Sequence, residues 1–291
     1  LQEYPFVGII GCEFFVCEDR LDRSKKDDGY QIVLLAKNKN GYHNLAKLSS
    51  EGMLNGFYYV PRIDKSYLLE HKEDLIVLSG GLRGEIQHLY LNVGEAQARE
   101  ALEWWRDQFG DDFYLELNRH RLEEEDHVNL QLLSYAKEYG IKYIAANNTF
   151  YLTQENAEAH DILLCVKEGA QKSTPIGRGR GFRYGFPNQE FYFKTKEEMV
   201  ELFSDLPEAL NTTKEIIDKV ELYPLERDVL LPEFDIPEEF QDPQDKIDSG
   251  QRGENAYLRH LTYAGAKTRY EDLTPEITER LDFELETIAR T

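Results

Sequence analysis

A chain of 291 residues with 41% hydrophobic and 12% aromatic side chains can fill one large core or two modest ones, which excludes a disordered or low-complexity protein. Its formal net charge of −21 repels phosphate backbones, so charge alone argues against a DNA-binding module and is compatible with a basic partner. Three cysteines, Cys12, Cys17 and Cys165, make no disulfide framework, and no apolar run is long enough to cross a bilayer, so a reducing cytoplasm is expected. Cys12 and Cys17 fall on opposite faces of a predicted strand and read as buried thiols, not as a ligand pair. The opening Leu1-Gln2-Glu3-Tyr4 has no signal-peptide pattern, and without an initiating Met the chain is expected to be a piece of something longer.

Residues 6–17 (FVGIIGCEFFVC) read as a strand buried on both faces, of the kind found in parallel sheets. A charged loop over 18–29 leads to a second buried strand at 30–36. Helical periodicity follows over 41–54, and Asp64 is a predicted N-cap with Tyr67 and Leu68 on an apolar face. The strand 75–78 ends in the glycine turn Gly80-Gly81; with Gly84 this is a strand-end turn and no Walker or Rossmann fingerprint. Residues 94–109 place Ala98, Ala101, Leu102, Trp105 and Phe109 on one helical stripe. Strand 113–117, helix 123–139 closed by Gly140, and strand 142–146 complete an alternation typical of parallel β/α architectures.

Beyond Thr153 the pattern changes to a helix at 154–166, a Gly/Arg-rich loop at 172–187 and helices near 196–203 and 207–220. Residues 221–254, with Pro224, Pro232, Pro237 and Pro243 among acidic residues, read as a linker. Two helices at 254–270 and 274–290 follow, the second opened by Thr274-Pro275. Glu123-Glu124-Glu125-Asp126 read as a helix N-terminus favoured by the dipole.

Four stretches carry a resemblance: 30–38 YQIVLLAKN, 75–86 LIVLSGGLRGEI, 113–120 FYLELNRH and 143–152 YIAANNTFYL. They resemble the PHP (polymerase and histidinol phosphatase) domain of bacterial replicative DNA polymerases, the polymerase III alpha family. Metal-binding members read YHLxLLAKN, LSGCLxGEI and ATNDxHYL there. The resemblance implies a distorted (β/α)7 PHP barrel over 1–220 that lacks its first strands. It implies an acidic Pro-rich linker over 221–253, where LLPEFDIP agrees, and the first helices of the polymerase palm over 254–291, where LTPEITERLDFELETI agrees.

A PHP site of this kind holds a cluster of divalent metals at strand ends for phosphoester hydrolysis, and needs anionic or imidazole donors. Its earliest ligands would precede Leu1. Of the later positions, Glu13 matches the family's glutamate, but Gln31 stands for His, Gly81 for Cys or His, Asn148 for Asp and Phe150 for His. The expectation is therefore a vestigial site with no metal and no catalytic residue in this chain, in which Glu13 is a buried, hydrogen-bonded carboxylate. His120, at a position where the family often has histidine followed by glycine, is expected to be structural. His160-Asp161 is expected to join a helix to the barrel. His43, His71, His88, His127 and His260 have no ligand spacing.

Arg178, Arg180 and Arg183, interleaved with Gly and aromatic residues, are candidates for a nucleic-acid or subunit contact. For a parent polymerase the resemblance implies template-directed DNA synthesis with Mg2+, DNA held mainly by other domains, and docking of the proofreading exonuclease and other replisome subunits on a structural platform. A stand-alone PHP phosphoesterase of the histidinol-phosphatase kind, and a pure interaction domain, are the competing readings. Missing first strands would leave an open barrel edge, through which the fragment is expected to dimerise.

Overall fold

The computed structural model describes residues 8–177, 179–226 and 234–290. The chain divides into two compact units, residues 1–225 and 226–291. Within the first, six strands form one mixed sheet: β1 (Gly11–Cys17), β2 (Tyr30–Ala36), β3 (Ile63–Asp64), β4 (Leu75–Leu78), β5 (Phe113–Asn118) and β6 (Tyr143–Ala146), in the order β3-β1-β2-β4-β5-β6. β2 is antiparallel to both β1 and β4, whereas the β1/β3, β4/β5 and β5/β6 pairs are parallel. β2 thus runs against the other strands, and the expectation of a parallel sheet holds for those others alone.

Alternation along the strands sorts the two faces. Phe14, Val16, Ile32, Leu34, Leu75, Val77, Phe113, Leu115 and Leu117 enter the larger core. That core is covered by α1 (Lys39–Leu54), α2 (Lys65–Glu70), α3 (Glu85–Asn92), α4 (Glu95–Phe109) and α5 (Glu123–Tyr139). Trp105, fully buried, anchors α4 there, and its ring nitrogen donates to Glu85 Oε2 at 2.7 Å. The opposite face carries Ile76, Leu78, Tyr114 and Ile144, closed by Ile216 of α8 (Pro207–Asp218).

The caps explain the helix boundaries. Asn38 accepts from the Gly41 N–H and Asp64 from the Tyr67 N–H, each supplying an acceptor to a helix start. Gly140 closes α5 at φ +67°, where a side chain would be strained. α3 is an element that the sequence reading passes over, because the glycine turn hides the start of a short helix whose cap, Gly84, offers no side chain.

β1 begins later than expected and is not buried on both faces. Phe14 and Val16 point into the core, whereas Gly11 and Glu13 are exposed. Phe6 and Val7 of the expected strand lie outside the described residues, as does Pro232 of the linker.

Among the described residues of the second unit, the 3-10 turn Glu238–Phe240 precedes α9 (Asp245–Asp248), α10 (Arg252–Arg269) and α11 (Pro275–Arg290). Thr274 caps α11, accepting the Ile277 N–H at 3.4 Å. Residues in the expected linker pack on α10: Phe240 lies 5.1 Å from Tyr257 ring to ring, and a side chain at Gly253 would strike the Phe240 carbonyl and Ile236. Asp282 of α11 accepts from Arg259 and Tyr263 of α10 at 2.7 and 2.6 Å.

Candidate functional site

The reversed direction of β2 decides which residues meet. Its first residues lie beside the C-terminal ends of β1 and β4, with Gln31 opposite Phe15 and Val33 opposite both Glu13 and Leu78. Cross-strand partners share a face, so Glu13, Gln31, Glu116 and Asn118 all belong to the face of the smaller core. Polar residues thus gather where that core ends.

The turn after β4 is built by glycines. Gly80 has φ +77°, and a Cβ there would sit 2.8 Å from the Gln31 carbonyl oxygen. Gly84 comes closer still: its Cβ would lie 2.2 Å from the Ser79 carbonyl oxygen and 2.5 Å from Gln87 Oε1, so only glycine fits. Gln87 holds the turn from α3, donating to Ser79 Oγ and the Gly80 carbonyl. Gly81 has room instead, for a Cβ there would meet only the carboxamide nitrogens of Asn118 and Asn148, at 3.3 and 3.4 Å. Gly81 and Asn148 are therefore neighbours, and the Gln31 main chain lies against the same turn at Gly80, Arg83 and Gly84.

The centre of this end of the sheet is His120, 0% exposed. The Asn148 N–H donates to its Nε2 at 3.1 Å. That leaves the proton on Nδ1, which faces Glu125 Oε1 at 2.7 Å. The second oxygen of Glu125 accepts the His120 N–H at 2.5 Å. The imidazole stacks on Phe191, 4.4 Å between centroids and 5° between planes, and the His120 carbonyl accepts from Asn188 Nδ2 at 2.6 Å. Both ring nitrogens of His120 are thus engaged within the chain.

Glu125 was foreseen only as part of an acidic helix start; it is buried and lies in the first turn of α5. Its spacing of five from His120 across a helix start was the available signal.

Glu116 escaped the sequence reading altogether. It is wholly buried beside Asn118, whose Nδ2 donates to its Oε1 at 2.8 Å. Burial pushes its carboxyl above the usual range; the Asn118 bond and His120 oppose that, while the charge of Glu13 adds to it. Glu13 itself corrects the expectation of a buried carboxylate, since its face of β1 is open where the helices cover the other.

Phe150 is 54% exposed and packs on Phe186 at 4.6 Å, with His160 and Phe191 nearby. It joins an aromatic set with Phe186, His160 and Phe191 at the edge of a cleft. Among the described residues no three His, Cys, Asp or Glu side chains are placed to share a metal ion. The donors present do not match the set a PHP metal cluster requires: an amide at 31, no side chain at 81, a carboxamide at 148, and an imidazole whose lone pair is in use.

The arginines part company. Arg183 is 7% exposed and grips Asp161 of α6 (Ala157–Glu168) through two bonds of 2.6 and 2.8 Å, which hold the Asp161 carboxyl below its ordinary range. Its guanidinium has an internal use, and Asp161 joins α6 to the 172–187 loop rather than to the sheet. Arg180 is exposed, and Arg178 lies outside the described residues. Beside the Arg183–Asp161 pair a cleft of about 340 Å³ is lined by Tyr151, His160, Asp161, Ile176, Phe186 and Pro187. The other expected non-ligand histidines include His88, His127 and His260, which pack on Tyr30, Tyr90 and Phe240.

An α/β fold with a six-strand mixed sheet and polar residues gathered at its strand ends defines the class, and residues 6–120 match the PHP domain family. The chain carries a PHP domain and is homologous over most of its length to the N-terminal region of DNA polymerase III alpha subunits. It is 41% identical over 285 residues to the DNA polymerase III subunit alpha of Borreliella burgdorferi, covering 96% of this chain and 23% of that protein. It is 37% identical over 288 residues to that of Treponema pallidum, covering 97% and 23%. With the Thermus aquaticus subunit it shares 38% identity over 277 residues, covering 92% and 21%. The chain thus spans less than a quarter of the length of these relatives. No helix among the described residues is long and apolar enough to cross a membrane.

Proposed function

We propose that this chain is the PHP region of a replicative DNA polymerase alpha subunit in which metal chemistry has been lost and a structural, subunit-docking role remains. The observation that carries the reading is the lone pair of His120 Nε2, spent on the Asn148 main chain. A strand end poor in anionic and imidazole donors, whose buried imidazole is already paired within the chain, is a poor holder of cations. In this reading Glu13, Gln31, Gly81, Asn148 and Phe150 mark the former metal positions.

The parent polymerase adds nucleotides with Mg2+ bound elsewhere, in the cytoplasm, with DNA held chiefly by its other domains. The sheet belongs to a distorted (β/α)7 barrel over residues 1–220. Residues 221–253 connect it to the first palm helices at 254–291. The proofreading exonuclease and other replisome subunits are the partners, with Arg180 at the edge of a contact surface. An open sheet edge in the isolated fragment gives a dimer, which light scattering detects.

The test is metal content, by mass spectrometry, of the polymerase purified without chelator. Below about a tenth of an equivalent of zinc, manganese or iron supports the reading. One equivalent or more that survives dialysis and disappears in Glu13→Ala overturns it.

A further inference from the structure

We propose that His120 is a conformational latch that seats two segments, 147–151 and 188–193, on the sheet and so sets the shape of the aromatic cleft beside α6. The inference rests on the metal-free reading above, since it gives the imidazole to the fold.

The two segments are zipped to each other. The Phe150 N–H donates to the Phe191 carbonyl and the Phe193 N–H to the Tyr151 carbonyl, each at 2.9 Å. Asn147 Nδ2 adds a bond to the Tyr192 carbonyl at 2.8 Å, and buried Lys194 reaches both Asn147 Oδ1 and the Glu190 carbonyl. His120 then engages both segments at once: its Nε2 takes the Asn148 N–H, its ring carries Phe191, and its carbonyl takes the Asn188 side chain. Glu125 fixes the ring from below, bonding Nδ1 and the His120 main chain from the first turn of α5, where a helix N-terminus favours a carboxylate. Tyr151, Asn188 and Gln189 line the cleft opposite residues of α6, so the segments that His120 seats form part of its wall. A ring that must accept at Nε2 and donate at Nδ1 can do so only as the Nδ1–H tautomer.

Hydrogen exchange on the intact chain, with His120→Gln, tests this. Glutamine can bond Glu125 or Asn148 but cannot do both while stacking on Phe191. Amides of 147–151 and 188–193 are expected to exchange roughly tenfold faster or more, while those of β2 and β4 hold their rates. Unchanged rates, or a uniform rise throughout the sheet, overturn the latch. If that variant does not fold, Glu125→Gln is expected to loosen the same segments by a smaller factor, and unchanged rates there overturn the proposal equally. Nitrogen-15 spectra of labelled histidine add a direct reading. A proton on Nδ1 with bare Nε2 is expected, and an Nε2–H or doubly protonated ring overturns it. Chelator added to the unsubstituted chain separates the two readings: faster exchange from chelation alone counts against the metal-free platform and leaves the latch to be judged on the His120 variant.

Discussion

Arg62 and His120 are both almost wholly removed from water, 1% and 0% exposed, and each gathers loops at the same end of the sheet. They do it by opposite means. Arg62 keeps a full charge and spreads it over the carbonyl oxygens of Gly56, Asp27, Arg20 and Asp22, at 3.0–3.1 Å, fastening the 18–29 loop. His120 brings no formal charge in the tautomer described, and accepts one main-chain donor while giving one proton to a carboxylate. The arginine works by number of bonds, with donors alone; the histidine works by direction, one bond each way. A centre of the first kind tolerates a shifted partner. A centre of the second kind specifies where each neighbour stands.

The largest expected effect breaks the arginine centre. Arg62→Ala leaves several carbonyls without a donor and is expected to lower stability by about 3 kcal/mol in denaturant unfolding, with faster proteolysis within 18–29. A loss near zero would mean that water replaces the guanidinium and that the contrast with His120 is false.

A second variant sharpens the comparison by changing the electrostatics next to the histidine. Glu116 has a folded-state pKa raised by burial above its ordinary value of 4.5. A raised carboxyl is stabilising, relative to its ionised form, only while protonated. Stability therefore falls as pH rises from the unfolded value through the folded one. Glu116→Gln removes that penalty, so the variant should gain on the parent as pH rises above about 4.5 and show no gain below it. A difference that does not vary with pH would place Glu116 in a well-solvated setting.

The smallest effect concerns Arg121, which follows His120 and has φ +56° with its side chain 76% exposed. Glycine adopts such a left-handed backbone without strain, whereas arginine does not. Arg121→Gly relieves the left-handed strain and loses only a rim ion pair to Glu190, at 3.3 Å, so a gain of about 0.5–1 kcal/mol is expected. A measured loss would show that the Arg121–Glu190 pair outweighs the strain.

The sequence made the strands and long helices legible because each has a period: alternation in β2, a stripe from Ala98 to Trp105 in α4, a closing glycine at 140. The glycine turn after β4 was legible too, as Gly80-Gly81 and Gly84. Direction was not legible. A period of two is the same read either way, and the 18–29 loop is compatible with a hairpin or a crossover, so the reversal of β2 could not be seen. Nor could the uses of buried polar groups. Glu116 looked like one residue of a strand and Glu125 like one of a charged run. Arg183 looked like a loop arginine because its partner, Asp161, lies 22 residues back on another element. Such pairings depend on where separate segments arrive, and local pattern does not record that.

The lone reversed strand has a further consequence for how this protein can vary. In a sheet whose strands all run one way, the loops at one end are all exits, and each can be lengthened without disturbing the strand that precedes it. Here the 18–29 loop is the exit of β1 and also the entrance of β2, so both of its ends are fixed at the polar rim. A residue inserted there shifts Gln31 unless the loop bulges outward, whereas one inserted after β5 or β6 leaves its strand in register. Tolerance of insertions should therefore be uneven around the rim, lowest in the hairpin that Arg62 fastens.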